Sequence, residues 1–285
     1  MKKDFAYRNL TLGEVEQLVN WAANEGWNPS PFEAKAFFEA DPEGFVGFFD
    51  GNELIAGGAI VAYGEEYGFM GLFIVQPTYR KQGLGKGLWY RRRDALKARL
   101  NHDAPIGMDG VVAMQEFYAR GGFNLAFRDE RYECIGSSFS IHPSIRLLKD
   151  EIPKELEEYD RECFGFHRSK FLHAWLKMPE STTFIYEDSR KIQGYAHLRK
   201  VMKGYKIGPL FANNKQIATE LYHACLDRAN HEPVYLDIPG NNPIARELVQ
   251  DHQAQFVFEC GRMYLGEAPK LPHEKIIGIT SFELG

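Results

Sequence analysis

The chain has 285 residues, 44% hydrophobic and 26% charged, with 34 Lys+Arg against 39 Asp+Glu and a net charge of −5. That length accommodates one large domain or two ordinary ones. The balance argues against a general nucleic-acid binder, which needs a basic face, and against a polybasic membrane-surface protein.

No apolar run approaches the ~20 residues of a membrane span, and the segment behind Lys2 and Lys3 lacks the apolar core of a signal peptide. Cys134, Cys163, Cys225 and Cys260 form no C-x-x-C pair and have no His at zinc-ligand spacing. They read as reduced, mostly buried thiols, so a soluble, cytoplasmic protein without a metal site is expected.

In chain order, Phe5–Tyr7 is a short strand candidate, and Val15, Leu18, Val19 and Ala22 make a helical stripe. Trp27–Pro31 reads as a loop. Gly44–Phe49 and Glu53–Ala62 flank the turn Asp50-Gly51-Asn52 as a hairpin. Phe69–Val75 is a near-continuous apolar run, as in a strand buried on both faces. A glycine-rich turn leads into a helix over about 84–100. A strand near Ile106–Met108, a helix near Ala113–Ala119 and two strands, Phe123–Phe127 and Tyr132–Ile135, follow.

The same order then repeats. Phe184–Tyr186 and Ile192–Leu198 form a second hairpin. It aligns without gaps onto the first, with Asp50 on Glu187, Gly57 on Gly194 and Ala59 on Ala196. A loop at Ile207–Asn214, a helix over 215–229, a strand Val234–Ile238, a helix over 242–250 and a strand Phe256–Phe258 complete it. Each half ends in a strand carrying Arg131-Tyr132 or Arg262-Met263-Tyr264. Duplication explains this order better than chance sharing of hairpins. The halves are expected at 1–139 and 140–285, with 140–152 as linker.

The most informative stretch runs from Val75 through Arg80-Lys81-Gln82-Gly83-Leu84-Gly85-Lys86. Glycines between a buried strand and a helix let backbone N–H groups approach a ligand. The helix start adds positive potential suited to phosphate. The stretch is neither a P-loop, since Gly87 follows Lys86, nor a dinucleotide fingerprint, since Leu88 stands where the third glycine belongs.

Arg80-x-x-Gly83-x-Gly85 after a strand ending Val75-x-Pro77 resembles motif A of the GNAT superfamily of N-acetyltransferases, over roughly residues 4–138. The resemblance implies two tandem α/β (α+β) domains, each a mixed, mostly antiparallel sheet flanked by helices. It implies acetyl-CoA as co-substrate, its pyrophosphate on the turn (Arg80, Lys81, Gln82, Gly83, Leu84, Gly85, Lys86). Its pantetheine arm would lie along Phe73, Ile74 and Val75, with a backbone N–H near Val75 on the thioester carbonyl. The helix stripe Leu84, Leu88, Ala95 has Arg92 and Arg99 inside it, and Arg91-Arg92-Arg93 reads as a solvated face with snorkelling stems.

Glu116-Phe117-Tyr118-Ala119-Arg120-Gly121-Gly122-Phe123 resembles the family's F-Y-x-x-x-G-F segment, which makes Tyr118 the candidate acid for the departing thiolate. Glu66, with Glu65, is a candidate base at the start of the buried strand, and equally part of a solvated turn. Asp109 is another candidate, or a turn former. Val111 and Met114 depart from the family pattern.

With Leu88 aligned on Leu221, the glycine turn becomes Asn213 to Ala218, with Gln216 for Gly83. The second half is therefore expected to lack a working coenzyme site. Asp160 to Arg168, Gly208-Pro209-Leu210, Leu236-Asp237-Ile238-Pro239 and Ser281 to Gly285 resemble the C-terminal domain of tandem-GNAT acetyltransferases. Asp237 either faces a ligand or caps the following helix. The expected function is direct transfer of acetyl from acetyl-CoA to an amine, preferably on a small molecule. A non-catalytic acyl-CoA sensor and a protein or peptide N-acetyltransferase are the alternatives.

Overall fold

The computed structural model describes residues 5–149 and 151–285. The first half runs β1 (Ala6–Asn9), α1 (Leu12–Asn24), α2 (Glu33–Ala40), β2 (Phe45–Asp50), β3 (Glu53–Tyr63), β4 (Tyr67–Val75), α3 (Leu84–Lys97), β5 (Ile106–Val111), α4 (Gln115–Arg120) and β6 (Asn124–Ile135). The second runs β7 (Ile145–Leu147), α5 (Lys154–Phe164), α6 (Ser169–Leu176), β8 (Ser181–Asp188), β9 (Lys191–Lys200), β10 (Tyr205–Ala212), α7 (Lys215–Arg228), β11 (Pro233–Pro239), α8 (Pro243–Asp251), β12 (Gln255–Leu265) and β13 (Ile276–Gly278).

Several expectations are corrected. The two strands expected at Phe123–Phe127 and Tyr132–Ile135 are one long strand, β6, which begins at Asn124. Ile207–Asn214 is largely strand β10; a glycine and a proline at 208 and 209 give it a loop's composition, and they sit where the ladder with β9 shifts register. The 140–152 linker contributes β7, which pairs with β8. The hairpins align one residue away from the gapless match: Asp50↔Glu53 closes the first turn and Asp188↔Lys191 the second, an offset of 188 − 50 = 138. Gly57 therefore falls on Tyr195, not on Gly194.

Among the described residues all strands join one sheet, ordered β1-β2-β3-β4-β5-β12-β6-β11-β10-β9-β8-β7, with β13 beside β10. The order is a palindrome of the two halves with one exchange. The last long strand of each half has left its own β5 or β11 neighbourhood for the other's. β12 pairs with β5, and β6 pairs with β11.

One face of the sheet carries α1, α2, α5 and α6, whose apolar stripes merge into a single core with Phe282 and Leu284. The other face carries α3 over β2–β4 and α7 over β8–β10. α1 starts on a capping box, Thr11 receiving Glu14 N–H while the Glu14 side chain receives Thr11 N–H. Cys163, Cys225 and Cys260 are buried, Cys134 is half-buried, and all four are free thiols. No described helix is long and apolar enough to cross a membrane.

Candidate active site

β4 and β5 run parallel but pair only at Gly68↔Ile106 and Phe69↔Gly107. Beyond that point they splay. The ladder between β3 and β4 shifts register between Ala59↔Gly71 and Gly57↔Ile74. At this bulge Leu72 takes a left-handed backbone (φ 47°), which costs about 1–2 kcal/mol for an L residue.

Arg92 braces the bulge. Its Nη2 donates to Gly71 O at 2.6 Å and also to Ala59 O. The guanidinium fills the space over Gly58, where a Cβ would come within 2.4 Å of Arg92 Cζ. Arg92 is 1% exposed, so the solvated-face reading of Arg91-Arg92-Arg93 is wrong for the middle residue. Burial depresses its pKa to about 10.

The splay opens a cavity of about 690 Å³. Its walls are Met70–Val75 of β4, Met108, Asp109 and Val111 of β5, Trp89 and Arg92 of α3, and Tyr118 of α4. Arg80, Lys81 and Gly85 of the glycine turn stand at one end. Gln76 N donates to Ile55 O across the β3 side. By the alternation of strand backbone, Phe73 and Val75 turn their peptide groups toward the cleft.

Gly83 caps α3 in a left-handed conformation (φ 82°) and has no side chain to occupy the helix's first N–H groups. Lys81 is also left-handed (φ 64°). Arg80 folds back, its Nε on Val75 O at 2.9 Å and its Nη2 on Glu25. Gln82 donates to Thr78 O at 3.0 Å. Phe73, Ile74, Val75, Arg80, Lys81 and Gly85 thus line the cavity, while Gln82, Gly83, Leu84 and Lys86 complete the turn at its rim.

Tyr118 is 5% exposed. Its ring stacks on Trp89 at 5.9 Å, and burial pushes its hydroxyl up to about 12 against the pull of Arg92. Glu66 is not brought to this cavity. It lies in the exposed 64–66 turn at the far end of the nine-residue β4, roughly 30 Å from Val75 at 3.3 Å per residue. Asp109 does line the cavity, but Arg262 of β12 holds both its oxygens, at 2.7 and 2.8 Å. Burial still pushes Asp109 upward, and Asp129, 3.4 Å from the same guanidinium, well above the carboxylate range.

The far wall is made of Arg131 from β6 and, from the second half, Phe258, Cys260, Phe282 and Glu283. Arg131 is clamped by Asp237 at 2.6 and 2.7 Å and packs between Phe258 and Phe282 at 4.7 and 5.1 Å. Asp237 is therefore neither a ligand-facing group nor a helix cap; Asn242 caps α8 by accepting from Ala245 N. Burial, aided by Asp109 and Asp129, raises the Cys260 thiol, the opposite of an activated nucleophile.

The equivalent cleft of the second half is filled by the chain itself. β10 and β11 part after Ile207↔Leu236, and β13 enters there, pairing Gly278 with Leu210 and Ile276 with Phe211. Ile279 N donates to Asp237 O at 2.9 Å. Among the described residues, no group of His, Cys, Asp and Glu is arranged to hold a metal ion.

Residues 12–123 match the profile of the acetyltransferase (GNAT) family, and residues 156–278 match a second acetyltransferase (GNAT) domain profile. The chain is 27% identical over 275 residues to the holothin acyltransferase of Pseudoalteromonas sp. (strain SANK 73390), covering 95% of this chain and 92% of that one. Its fold is similar to a putative acetyltransferase from Pyrococcus horikoshii, with TM-score 0.84, 22% identity and coverage of 100% and 97%. It is also similar to a tandem GNAT protein from the clavulanic acid biosynthesis pathway, with TM-score 0.63, 11% identity and coverage of 94% and 100%. With two family domains in one chain, the splayed β4–β5 cleft and the glycine turn at its end, the protein belongs to the GNAT acyltransferase superfamily, as a tandem-domain member.

Proposed function

We propose that the protein transfers an acetyl group from acetyl-CoA to an amine on a small molecule, in one direct step, at a single site in its first half. The observation that carries this is one continuous cavity joining the start of α3, which no side chain caps, the cleft-facing backbone of Phe73 and Val75, and Tyr118.

The residues present fit a coenzyme. A Cβ on Gly85 would meet Phe73 and Val75 at 3.5 and 3.6 Å, so the turn lies against the end of β4 with only hydrogen on its inner side. β13 marks the equivalent groove in the second half as one that accepts an extended, strand-like segment. The helix start and Lys81 suit a pyrophosphate. A bound thioester would supply an activated acyl carbon, whose carbonyl the Val75 N–H is oriented to receive. Tyr118, kept neutral by burial, donates its proton to the departing sulfur. The raised Cys260 thiol supports direct transfer over a route through an acyl-cysteine.

The walls contributed by β6, β12 and residues 282–283 restrict the acceptor to something small. A similar chain of comparable length is named as an acyltransferase of holothin, which supports a small-molecule acceptor over a protein. Coenzyme binding by calorimetry, combined with coenzyme release across primary amines, amino acids, polyamines and peptides, tests the reading. Binding together with release on small amines is expected. Binding without release on any amine would favour a coenzyme sensor, and release confined to peptides a protein acetyltransferase.

A further inference from the structure

We propose that Glu283, delivered by the tail of the second half, takes the proton from the acceptor amine. This rests on the coenzyme reading above.

Among the described residues, three carboxylates line the cavity: Glu25, Asp109 and Glu283. Glu25 is paired with Arg80 at the glycine-turn end. Asp109 is held through both oxygens by Arg262. The two guanidinium groups whose charge reaches Glu283 form their ion pairs with other carboxylates, Arg131 with Asp237 and Arg199, through Nε, with Glu33. Glu283 is therefore the lining carboxylate whose oxygens are not claimed by an arginine.

It is also rigidly placed. Ser281 Oγ accepts from Glu283 N and Leu284 N at 3.3 and 3.1 Å. Tyr63 donates its hydroxyl to Leu284 O at 2.8 Å. Thr280 receives Arg168, itself fixed by both oxygens of Asp160. The Glu283 carbonyl lies so close over β4 that a Cβ on Gly71 would meet it at 1.8 Å.

The faces of β4 set the geometry. Gly68 looks onto Leu96 and Leu100, the α3 side. Phe69 packs on Gly285, on the opposite side, and Gly71 shares that side. Tyr118 approaches from the α3 side through Trp89, and Glu283 from the other. An acyl carbon in the cleft would thus have its proton donor on one face of the sheet and its proton acceptor on the other.

The charged groups facing Glu283 are Lys206 from β10, Arg131 from β6 and Arg199 from β9, which favour its ionised form, and Glu33 from α2, which opposes it. Burial outweighs them and lifts the carboxyl above its ordinary range, toward that of a useful base. In the step itself Glu283 first takes a proton from the bound ammonium. The free amine nitrogen then forms its bond to the acyl carbon as the carbon–sulfur bond breaks, and the sulfur receives the Tyr118 proton. The remaining surplus nitrogen proton returns through solvent to Tyr118, and Glu283 releases its own to solvent.

The test compares wild type with Glu283→Gln and Glu283→Asp. Binding of coenzyme A is measured by calorimetry, and coenzyme release from pH 6 to 10 with acetyl-CoA and benzylamine, tryptamine, butylamine or spermidine. The glutamine variant is expected to bind coenzyme A as wild type does and to lose turnover on the order of 100-fold at pH 7. The deficit should shrink toward pH ~10, where free amine predominates. The aspartate variant should recover part of the rate. Wild-type rate and pH profile in Glu283→Gln would overturn the proposal and leave the coenzyme reading standing. Loss of coenzyme binding or folding in both variants would assign Glu283 to structure and overturn it too. A wild-type protein that binds no coenzyme A, or acetylates none of these amines, would instead overturn the function on which the proposal rests.

Discussion

Arg262 grips Asp109 from a strand 153 positions away in the chain, through both carboxylate oxygens. The pair sits in register across β5 and β12. Arg131 and Asp237 are its mate across β6 and β11, also in register and also doubly bonded. Each half thus sends an arginine on its exchanged strand to an aspartate of the other half.

Arg262→Met should be severely destabilising, by about 3–5 kcal/mol, because it strands a buried carboxylate. Asp129 is already pushed well above the usual range by burial, so Asp109 must newly accept a proton. In the variant the folded-state pKa of Asp109 should lie further above its unfolded value. Folding is then penalised at neutral pH and recovers as pH falls toward the unfolded pKa. Chemical denaturation at pH 5 and pH 8 should show the gap to wild type narrowing at the lower pH.

Gly83→Gln, which copies the second half's residue, should weaken coenzyme A binding at least about tenfold. A Cβ there meets nothing within 4 Å, so no clash is involved. The left-handed φ of 82° is what a side chain resists, at about 1–2 kcal/mol, and relaxing it turns the first N–H groups of α3 away. Calorimetry with coenzyme A, beside a thermal melt, separates the two effects.

Tyr118→Phe should keep coenzyme affinity within a few-fold, since the ring retains its stacking on Trp89, and lose kcat by about 100- to 1000-fold. With the hydroxyl held up to about 12, wild-type activity should show no alkaline limb from this phenol near pH ~10, where an exposed tyrosine titrates. Rates across pH 8 to 11 check both points.

Glu14→Ala should cost about 1 kcal/mol of stability at pH 7 by removing the side chain that receives Thr11 N–H in the capping box. Its bond to Arg8 comes first in holding the carboxyl at about 2 in the folded protein. That contribution is complete above the unfolded pKa and lost as pH falls through about 2. Arg8 is 46% exposed, so screening keeps the ion-pair share small. Denaturant midpoints of the two proteins should converge as pH is lowered from 5 to 2.

The glycine turn and the Tyr118 segment were legible because their chemistry is local: a left-handed glycine, a helix start, an aromatic before a tight turn. The burial of Arg92 was half legible, since it falls inside the Leu84, Leu88 stripe, and only a preference for solvated charge hid it. Gly208-Pro209 gives β10 the composition of a loop. Ser281 to Gly285 stands out by its resemblance to the tandem group, but its place in the first half's cavity wall, the strand exchange and the filling of the second cleft by β13 have no local signature. They arise from pairings between residues far apart in the chain, such as 65 positions for Phe211↔Ile276 and 153 for Asp109↔Arg262, set by which edges remain to be covered once each half has formed.

The exchange also sets a clock. The free edge of β5 is made when Val111 is made, and its neighbour β12 does not begin until Gln255. At cellular synthesis rates of about 5–20 residues per second, that interval is on the order of 10 s. Throughout it the nascent chain holds an open strand edge and an Asp109 without its arginine. A slow stretch of translation within residues 112–254 would lengthen that exposure, and a chaperone able to shield a strand edge would matter most there.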